Sequence, residues 1–145
     1  MAKFHTYLNF PGNAEEAFEF YKSVFGGEFA SATRFKDLPM EGVTIPEADQ
    51  NKMMHIGLVV GDGAYLMASD ALESLGQNLI QGNNVYVSVS PESREEADKI
   101  FNGLSEGGEI EMPIADQIWG DYFGSFKDKF GVGWMVNYSP PREES

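Results

Sequence analysis

The length and composition of the chain indicate one globular domain, since it has 145 residues, of which 42% are apolar and 23% are charged. Ten lysines and arginines against 23 aspartates and glutamates give a formal net charge of −13, which argues against nucleic acid or anionic lipid as a partner. The absence of cysteine excludes disulfides, thiolate metal sites and a cysteine nucleophile.

A strand followed by an amphipathic helix is predicted at the start of the chain. Residues 4–10 alternate, and the phenylalanines at both ends of this stretch are expected to pack under the helix. The opposite face of the strand carries His5, Tyr7 and Asn9. Asn13 and Glu16 have the spacing of a capping box at the start of the helix. The helical apolar positions that follow are Ala17, Phe20, Tyr21 and Val24.

Three more strands are predicted in the first half, at Glu28–Phe35, Met53–Val60 and Ala64–Ser69. The last two are joined by Gly61–Gly63, which has the composition of a hairpin turn. Residues 36–52 contain two prolines and mixed charge, so we expect a long, irregular and mobile connection there.

The second half of the chain repeats the first. The sequence Glu-Glu-Ala at 15–17 returns at 95–97, an offset of 80, and the glycine pair at 26–27 returns at 107–108. Ser93 with Glu96 again has capping-box spacing. The apolar positions of this second helix are Ala97, Ile100, Phe101 and Leu104.

Strands also flank the second helix. Residues 85–89 alternate between three valines, expected under the helix, and a polar face made of Asn84, Tyr86 and Ser88. The strands predicted after the helix are Glu109–Pro113, Gly120–Phe126 and Val132–Tyr138.

This repeat predicts an α+β fold of two tandem βαβββ modules, at about residues 3–70 and 83–139, with a linker at 71–82 and a flexible tail at 140–145. Because helices cover only one face of each sheet, the other faces would be exposed to water unless the sheets curl around a shared space. We therefore expect a half-open barrel around a cavity, with a binding site inside it.

Few side chains could carry chemistry. His5 and His55 lie on predicted strands, and each is either a hydrogen-bonded structural histidine or a ligand or base. No pair of histidines has metal-ligand spacing, and neither a hydrolase Gly-x-Ser-x-Gly motif nor a phosphate-binding glycine loop occurs. Trp134 shares a face with valines and is expected in the core, whereas Trp119 could equally line a pocket.

Several short stretches, in order along nearly the whole chain, carry a resemblance to a known family. They are Tyr7–Phe10, Gly12–Ala17, Phe20–Tyr21, Val24–Gly27, Met54–His55, Leu66–Asp70, Trp119–Gly120 and Asp128–Trp134. Together they resemble PhnB-like proteins of the glyoxalase/bleomycin-resistance, or vicinal oxygen chelate, superfamily. The resemblance implies paired βαβββ modules and a homodimer.

The resemblance also implies where a metal would bind, because metal-dependent members take one ligand from the first and one from the last strand of each module. On this chain those positions are His5, Met67, Asn84 and Met135. One imidazole with two thioethers and an amide does not suit a hard or borderline divalent ion, so we predict no metal and no other cofactor. The alternative is a shifted ligand set that uses His5, His55, Ser69 or Asp70.

We predict a protein that binds a small organic ligand in a metal-free cavity, in a resistance or sequestration role. The acidic charge would attract a cationic ligand, although salt screens this attraction beyond about 8 Å. The residues predicted to line the site are His5, Tyr7, Asn9, His55, Met67, Ser69, Asn84, Tyr86, Ser88, Trp119 and Met135.

Two other functions stay open. A lyase, isomerase or other glyoxalase-related enzyme would use His5 or His55 as base or metal ligand, and would need the imidazoles, or one imidazole and Asp70, to converge. An interaction module with an unused pocket is the third possibility. PhnB-like proteins are sometimes described as ubiquinone methyltransferases, but no glycine-rich loop between a strand and a helix is present to hold a methyl donor.

The remaining expectations concern location and partners. The first ten residues lack the apolar core of a signal peptide, and no stretch reaches the roughly 18 apolar residues of a membrane span. We therefore expect a cytoplasmic homodimer whose partner is a small molecule, with neither nucleic acid nor membrane involved.

Overall fold

The chain has an α+β structure that divides into two compact units, residues 1–80 (unit 1) and residues 81–145 (unit 2). The computed structural model describes residues 2–39, 41–61 and 64–141. Each unit has the element order βαβββ, which confirms the fold predicted from the internal repeat. Within these described ranges no helix is long and apolar enough to cross a membrane.

Unit 1 consists of helix α1 (Ala14–Phe25) packed on one face of a four-stranded sheet. Its strands are β1 (Thr6–Phe10), β2 (Glu28–Arg34), β3 (Met53–Val60) and β4 (Ala64–Asp70). They lie in the order β1-β4-β3-β2, with β1 parallel to β4 and the other pairs antiparallel. The expectation that Phe4 packs under the helix is wrong, because β1 begins at Thr6 and Phe4 is 98% exposed.

Unit 2 repeats this arrangement with helix α2 (Arg94–Ser105) and a second four-stranded sheet. Its strands are β5 (Val87–Val89), β6 (Glu109–Asp116), β7 (Tyr122–Lys127) and β8 (Gly133–Tyr138). They lie in the order β5-β8-β7-β6. Val85, predicted to pack under the helix, precedes the three-residue strand β5 and is 76% exposed.

The two helices bury the same spacing of apolar residues, but from different starting points. Helix α2 buries the four predicted positions, Ala97, Ile100, Phe101 and Leu104. Helix α1 buries Ala14, Ala17, Phe18 and Tyr21. The predictions of Phe20 and Val24 as core residues are therefore wrong, since both are only half-buried and Phe18 takes their place.

Asp70, at the end of β4, organises the start of helix α1. Its Oδ1 accepts hydrogen bonds from the backbone N–H groups of Gly12 (3.1 Å) and Ala14 (2.9 Å), and its Oδ2 accepts one from Met53 (2.8 Å). This carboxylate is buried, and it satisfies helix N-terminal donors that would otherwise lack a partner. The capping box predicted at Asn13 is wrong, because that side chain makes no capping hydrogen bond.

Helix α2 is capped locally instead. The Ser93 hydroxyl accepts a hydrogen bond from the backbone N–H of Glu96 at 3.1 Å, as predicted. In a complete capping box, the Glu96 carboxylate would accept a hydrogen bond from the N–H of Ser93. Here Glu96 Oε1 accepts from the N–H of Glu92, one residue earlier, at 3.2 Å.

The second glycine of the pair that follows each helix lies where two backbone segments approach each other closely. A methyl group added at Gly27 would lie 2.2 Å from the carbonyl oxygen of Val59. A methyl group added at Gly108 would lie 2.1 Å from the carbonyl oxygen of Lys127. The repeated glycines therefore let the strand after each helix join its sheet.

The connection between β2 and β3 is irregular, as predicted, but a backbone hydrogen bond joins its two ends. It contains two 3-10 helices, Phe35–Asp37 and Glu47–Asp49, and the N–H of Phe35 donates to the carbonyl of Lys52 at 3.1 Å. The turn predicted at Gly61–Gly63 and the tail at 140–145 fall mostly outside the described residues.

Candidate functional site

The candidate site is the sheet face of unit 1 that α1 does not cover, called here the helix-free face of unit 1. Strand alternation puts Phe10, Ile56 and Ala68 on the side of the helix, where they are buried. The residues adjacent to them within each strand therefore point to the other side of the sheet. The helix-free face carries Tyr7, Asn9, Glu28, Ser31, Thr33, His55, Gly57, Val59, Tyr65, Met67 and Ser69.

A serine and a histidine form a hydrogen-bonded pair on this face. Ser31 Oγ lies 2.8 Å from His55 Nδ1, and both residues are half-buried. The Tyr7 ring lies beside the imidazole, with 5.9 Å between ring centroids and a 50° tilt. These two contacts fix the orientation of His55 on the sheet surface.

Gly57 forms a depression next to this pair. A methyl group added there would lie 2.6 Å from Tyr65 Oη and 3.1 Å from Ser31 Oγ, so both hydroxyl groups reach over the glycine. The edge of the Tyr65 ring also meets His5, with 6.4 Å between centroids. The two hydroxyl groups and the His55 ring therefore gather around one point of the sheet.

The structure brings the predicted site residues of unit 1 onto this one face, with His5 one residue ahead of β1. Ser69 Oγ donates to Asn9 Oδ1 at 3.3 Å. Met67 pairs across the strands with Tyr7, so the first-strand residue beside it is a tyrosine and not His5.

Two residues of the hydrogen-bonding cluster on this face, Ser31 and Tyr65, were missed by the sequence analysis. Tyr65 could have been found, because it alternates with Met67 and Ser69 along β4. Ser31 could not, because a register shift in β2 between Phe29 and Ser31 interrupts the alternation on which such a prediction depends.

The side chains on the corresponding face of unit 2 make different contacts. The Tyr86 ring passes over Gly133, where an added methyl group would lie 2.9 Å from Cδ1, and its hydroxyl donates to Glu111 Oε1 at 2.8 Å. The hydrogen bond to this carboxylate raises the pKa of Tyr86. Ser88 pairs with Met135, so both lie on this face as predicted by alternation.

Two further predicted residues of unit 2 lie elsewhere. Asn84 was expected on the first strand of the module, but β5 begins at Val87 and Asn84 is an exposed residue before it. Trp119 is 51% exposed and makes an edge contact with Phe123, with 5.9 Å between centroids. Trp134 is buried and donates from Nε1 to Asp128 Oδ2 at 2.8 Å, in agreement with the expected core position.

Asp70 does not belong to the helix-free face. It pairs with Phe10 on the helix side of the sheet, and its carboxylate is occupied by three backbone N–H groups. The convergence of an imidazole with Asp70, considered for the enzyme and for the shifted metal site, is therefore wrong. Any base on this face is a histidine without an aspartate partner from β4.

The residues present do not fit the metal of metal-dependent relatives. Among residues 2–39, 41–61 and 64–141 no group of three or more histidines, cysteines or acids is placed to hold a metal ion. The implied positions offer one imidazole, two thioethers and the amide of Asn84, which stands outside its strand. In the turn between β1 and α1, the N–H groups of Gly12 and Ala14 bond to Asp70 and are therefore not available to a phosphate group.

This geometry, two βαβββ units each with one helix-free sheet face, is the fold of the vicinal oxygen chelate proteins. The fosfomycin resistance protein FosX from Listeria monocytogenes superposes with a TM-score of 0.62 over 96% of this chain and 93% of its own, at 13% identity. At that identity the likeness concerns the fold alone.

The chain belongs to the PhnB-like family of this superfamily, because the family model described as 3-demethylubiquinone-9 3-methyltransferase matches residues 2–137. Protein YjdN of Escherichia coli strain K12 is 29% identical over 137 residues, which cover 90% of this chain and 91% of that protein. Protein PA1353 from Pseudomonas aeruginosa has a TM-score of 0.84 at 37% identity, covering 96% of this chain and 98% of its own. The PhnB protein from Bacillus cereus has a TM-score of 0.75 at 29% identity, covering 95% of this chain and all of its own (100%).

Proposed function

We propose that this protein binds a small organic molecule, without a metal ion, on the helix-free faces of its sheets. The observation that carries the proposal is the cluster on unit 1 in which Ser31 hydrogen-bonds His55 at 2.8 Å beside the rings of Tyr7 and Tyr65. A few polar groups among aromatic and apolar side chains are what small-molecule sites present.

The side chains around the cluster support this proposal. Met67 and Val59 supply apolar surface beside the aromatic rings, and Gly57 leaves room for a ligand atom to approach the backbone. Polar side chains that would serve only the core are expected to be buried and saturated, whereas Tyr7 is 46% exposed and Asn9 is exposed.

On the helix-free face of unit 2, we propose that Tyr86, Ser88 and Met135 serve the same ligand function. We also propose a role in sequestering or resisting a small compound. FosX, which shares the fold, is named as a resistance protein. A cytoplasmic homodimer remains part of the proposal, and light scattering of the purified protein would measure its mass against the 16.1 kDa of one chain.

The second candidate function is an enzyme in which His55 acts as a general base. The hydrogen bond to Ser31 supports it, because that contact holds the imidazole in one orientation on an accessible face. Turnover that disappears in His55→Gln while ligand binding persists would favour the enzyme over the binding protein.

A thermal-shift screen tests the proposal directly. Cationic aromatic compounds, dicarbonyls and organic acids would be compared on the wild type, on His55→Gln and on Ser23→Ala, a control on the exposed side of α1. Stabilisation by one class that His55→Gln loses and Ser23→Ala keeps would support the proposal. A flat response to all three classes would remove its support.

Calorimetric titration with nickel, zinc and manganese tests the absence of a metal. We expect no stoichiometric binding, because the implied donors are poor ligands for these ions. Micromolar one-to-one binding that His5→Ala abolishes would contradict the metal-free proposal.

A further inference from the structure

We infer that the helix-free face of unit 1 selects small organic anions, carboxylic acids with an apolar body, through the donors of Ser31, His55 and Tyr65. The inference rests on the proposed function and adds the chemical class of the ligand. It depends on the hydrogen-bonding capacity of the cluster and on where the carboxylates of the chain lie.

The Ser31–His55 pair offers a free donor in every protonation state. If the serine hydroxyl donates to Nδ1, the neutral imidazole carries its proton on Nε2 and presents that N–H to a ligand. If Nδ1 carries the proton and donates to Oγ, the serine hydroxyl is free to donate outward. The imidazolium form presents Nε2–H as well. A ligand that offers an acceptor can therefore pair with this site in every form, whereas Nε2 accepts a hydrogen bond only when the neutral imidazole carries its proton on Nδ1.

Tyr65 adds a second donor at the same place. Its Oη and Ser31 Oγ both lie within 3.1 Å of the point where a Gly57 side chain would begin. Among the described residues the Tyr65 hydroxyl has no hydrogen-bond partner, so its proton is available to a ligand. When His55 Nδ1 donates to Ser31, the Ser31 and Tyr65 hydroxyl groups are two donors around one depression, and they match the two oxygens of a carboxylate.

The charge of this face differs from the charge of the chain. The net charge is −13, yet the central rows of the face, from Asn9 to Thr33 and from Tyr7 to Ser31, contain no carboxylate. The next row runs from Tyr65 through Val59 to Glu28, so its carboxylate stands at the edge strand, two strands away from Tyr65. A cation bound between the Ser31–His55 pair and the Tyr7 ring would lose water without a carboxylate in either of the two central rows, which is unfavourable.

This assignment revises the expectation that overall acidity attracts a cationic ligand. Net charge acts over long distances and is screened by salt, whereas selection at the site depends on the groups in contact. The apolar body of the acid would lie against Met67 and the Tyr7 ring, which flank the donors.

The experiment is a calorimetric titration of the whole chain with benzoate, benzamide and benzylamine, three probes with one ring and different head groups. Ser31→Ala and Tyr65→Phe each remove one donor, and Ser23→Ala and Tyr122→Phe are matched controls on the helix side of each unit. We expect benzoate to bind more tightly than benzamide, and benzylamine not to bind. Each donor variant should weaken benzoate about tenfold, the usual effect of losing a hydrogen bond to a charged group, and the controls should not change it.

The outcomes separate this inference from the proposed function. Benzylamine binding that depends on Ser31 and Tyr65 would keep the ligand site and overturn the anionic class. Benzoate affinity that is equal in the donor variants and the controls would overturn the assignment of these residues. Binding of none of the three probes would overturn the inference, while the broader thermal-shift screen would still decide whether the protein binds another class.

Discussion

The two units of this chain share one architecture but stabilise it with different contacts. Unit 1 starts its helix on a carboxylate from a distant strand, because Asp70 caps Gly12 and Ala14, whereas unit 2 uses the adjacent Ser93. A tyrosine lies over a glycine on the helix-free face of each sheet. The hydroxyl of Tyr86 is bonded to Glu111, but the hydroxyl of Tyr65 lies beside Ser31 without such a carboxylate.

A sequence repeat can thus preserve a scaffold while the side chains on its sheet faces diverge. Helix ends and the close glycine contacts recur in both units, since they are required for each helix to pack on its sheet. The polar groups on the helix-free faces do not recur. They are therefore the part of each unit in which function can differ.

The largest expected effect is on the cap of unit 1. Asp70→Ala would leave three backbone N–H groups without their acceptor and should lower the free energy of unfolding by about 4 kcal/mol. Ser93→Ala removes one local cap and should cost about 1 kcal/mol. Urea unfolding of both variants measures the contrast, and equal losses would show that the distant cap has no special weight.

The two glycines after α1 have different surroundings within one turn. Gly27→Ala places a methyl group 2.2 Å from a backbone carbonyl at φ +87°, and it should lower the free energy of unfolding by about 3 kcal/mol. Gly26→Ala, at φ +76° with open space around it, is the matched control and should cost about 1 kcal/mol. Thermal or urea unfolding measures the loss of stability in each variant. Similar losses for the two variants would contradict the claim that Gly27 allows two backbone segments to approach closely.

A tyrosine of unit 2 should make the free energy of unfolding depend on pH in the alkaline range. The hydrogen bond from Tyr122 to Asp98 at 2.5 Å raises the pKa of that phenol above its ordinary value near 10. The stabilisation, about 1 kcal/mol, is therefore complete below pH 10 and disappears as pH rises through the folded pKa. Tyr122→Phe should remove this dependence, and an unchanged alkaline profile would count against the contact.

The smallest effect belongs to an ion pair between helix and sheet in unit 1. Arg34 holds Glu15 at 2.6 Å, and this hydrogen bond lowers the pKa of the Glu15 carboxyl. The stabilisation is present above the ordinary glutamate pKa and is lost as pH falls through the lower folded value. Because both side chains are partly exposed, Glu15→Gln should cost only about 0.5 kcal/mol at neutral pH.

Unit 2 has a pair of the same kind with the charges exchanged. There the arginine is on the helix, and Arg94 contacts Asp116 on β6. Acid titration of Glu15→Gln beside Asp116→Asn would compare the two pairs. If Glu15→Gln retained the full acid dependence of the wild type, the Arg34 contact would not be its source.

The sequence predicts the scaffold well because local patterns determine it. Both helices begin 80 residues apart as the repeat indicates, and β3 has the predicted bounds Met53–Val60. The alternation of β1 and β4 also places Tyr7 and Met67 on the same face, as the strand register shows. These features depend on neighbours along the chain, which a sequence displays directly.

The parts that could not be predicted depend on contacts between distant residues. Asp70 stands 56 residues from Ala14, so nothing in the local sequence marks it as a cap in place of Asn13. Ser31 reaches His55 only because β2 changes register. Phe4 and Val85 continue an alternating pattern beyond the ends of their strands, where no paired strand covers them.

The two histidines of the chain can report directly on a ligand at the helix-free face of unit 1. Imidazole nitrogen and carbon resonances, with the protein labelled at histidine, would be followed while a compound that stabilises the protein is added. We predict that the His55 resonances shift with saturation and that Ser31→Ala reduces this response. Saturable binding that leaves the His55 resonances unchanged would contradict a ligand site on the helix-free face of unit 1.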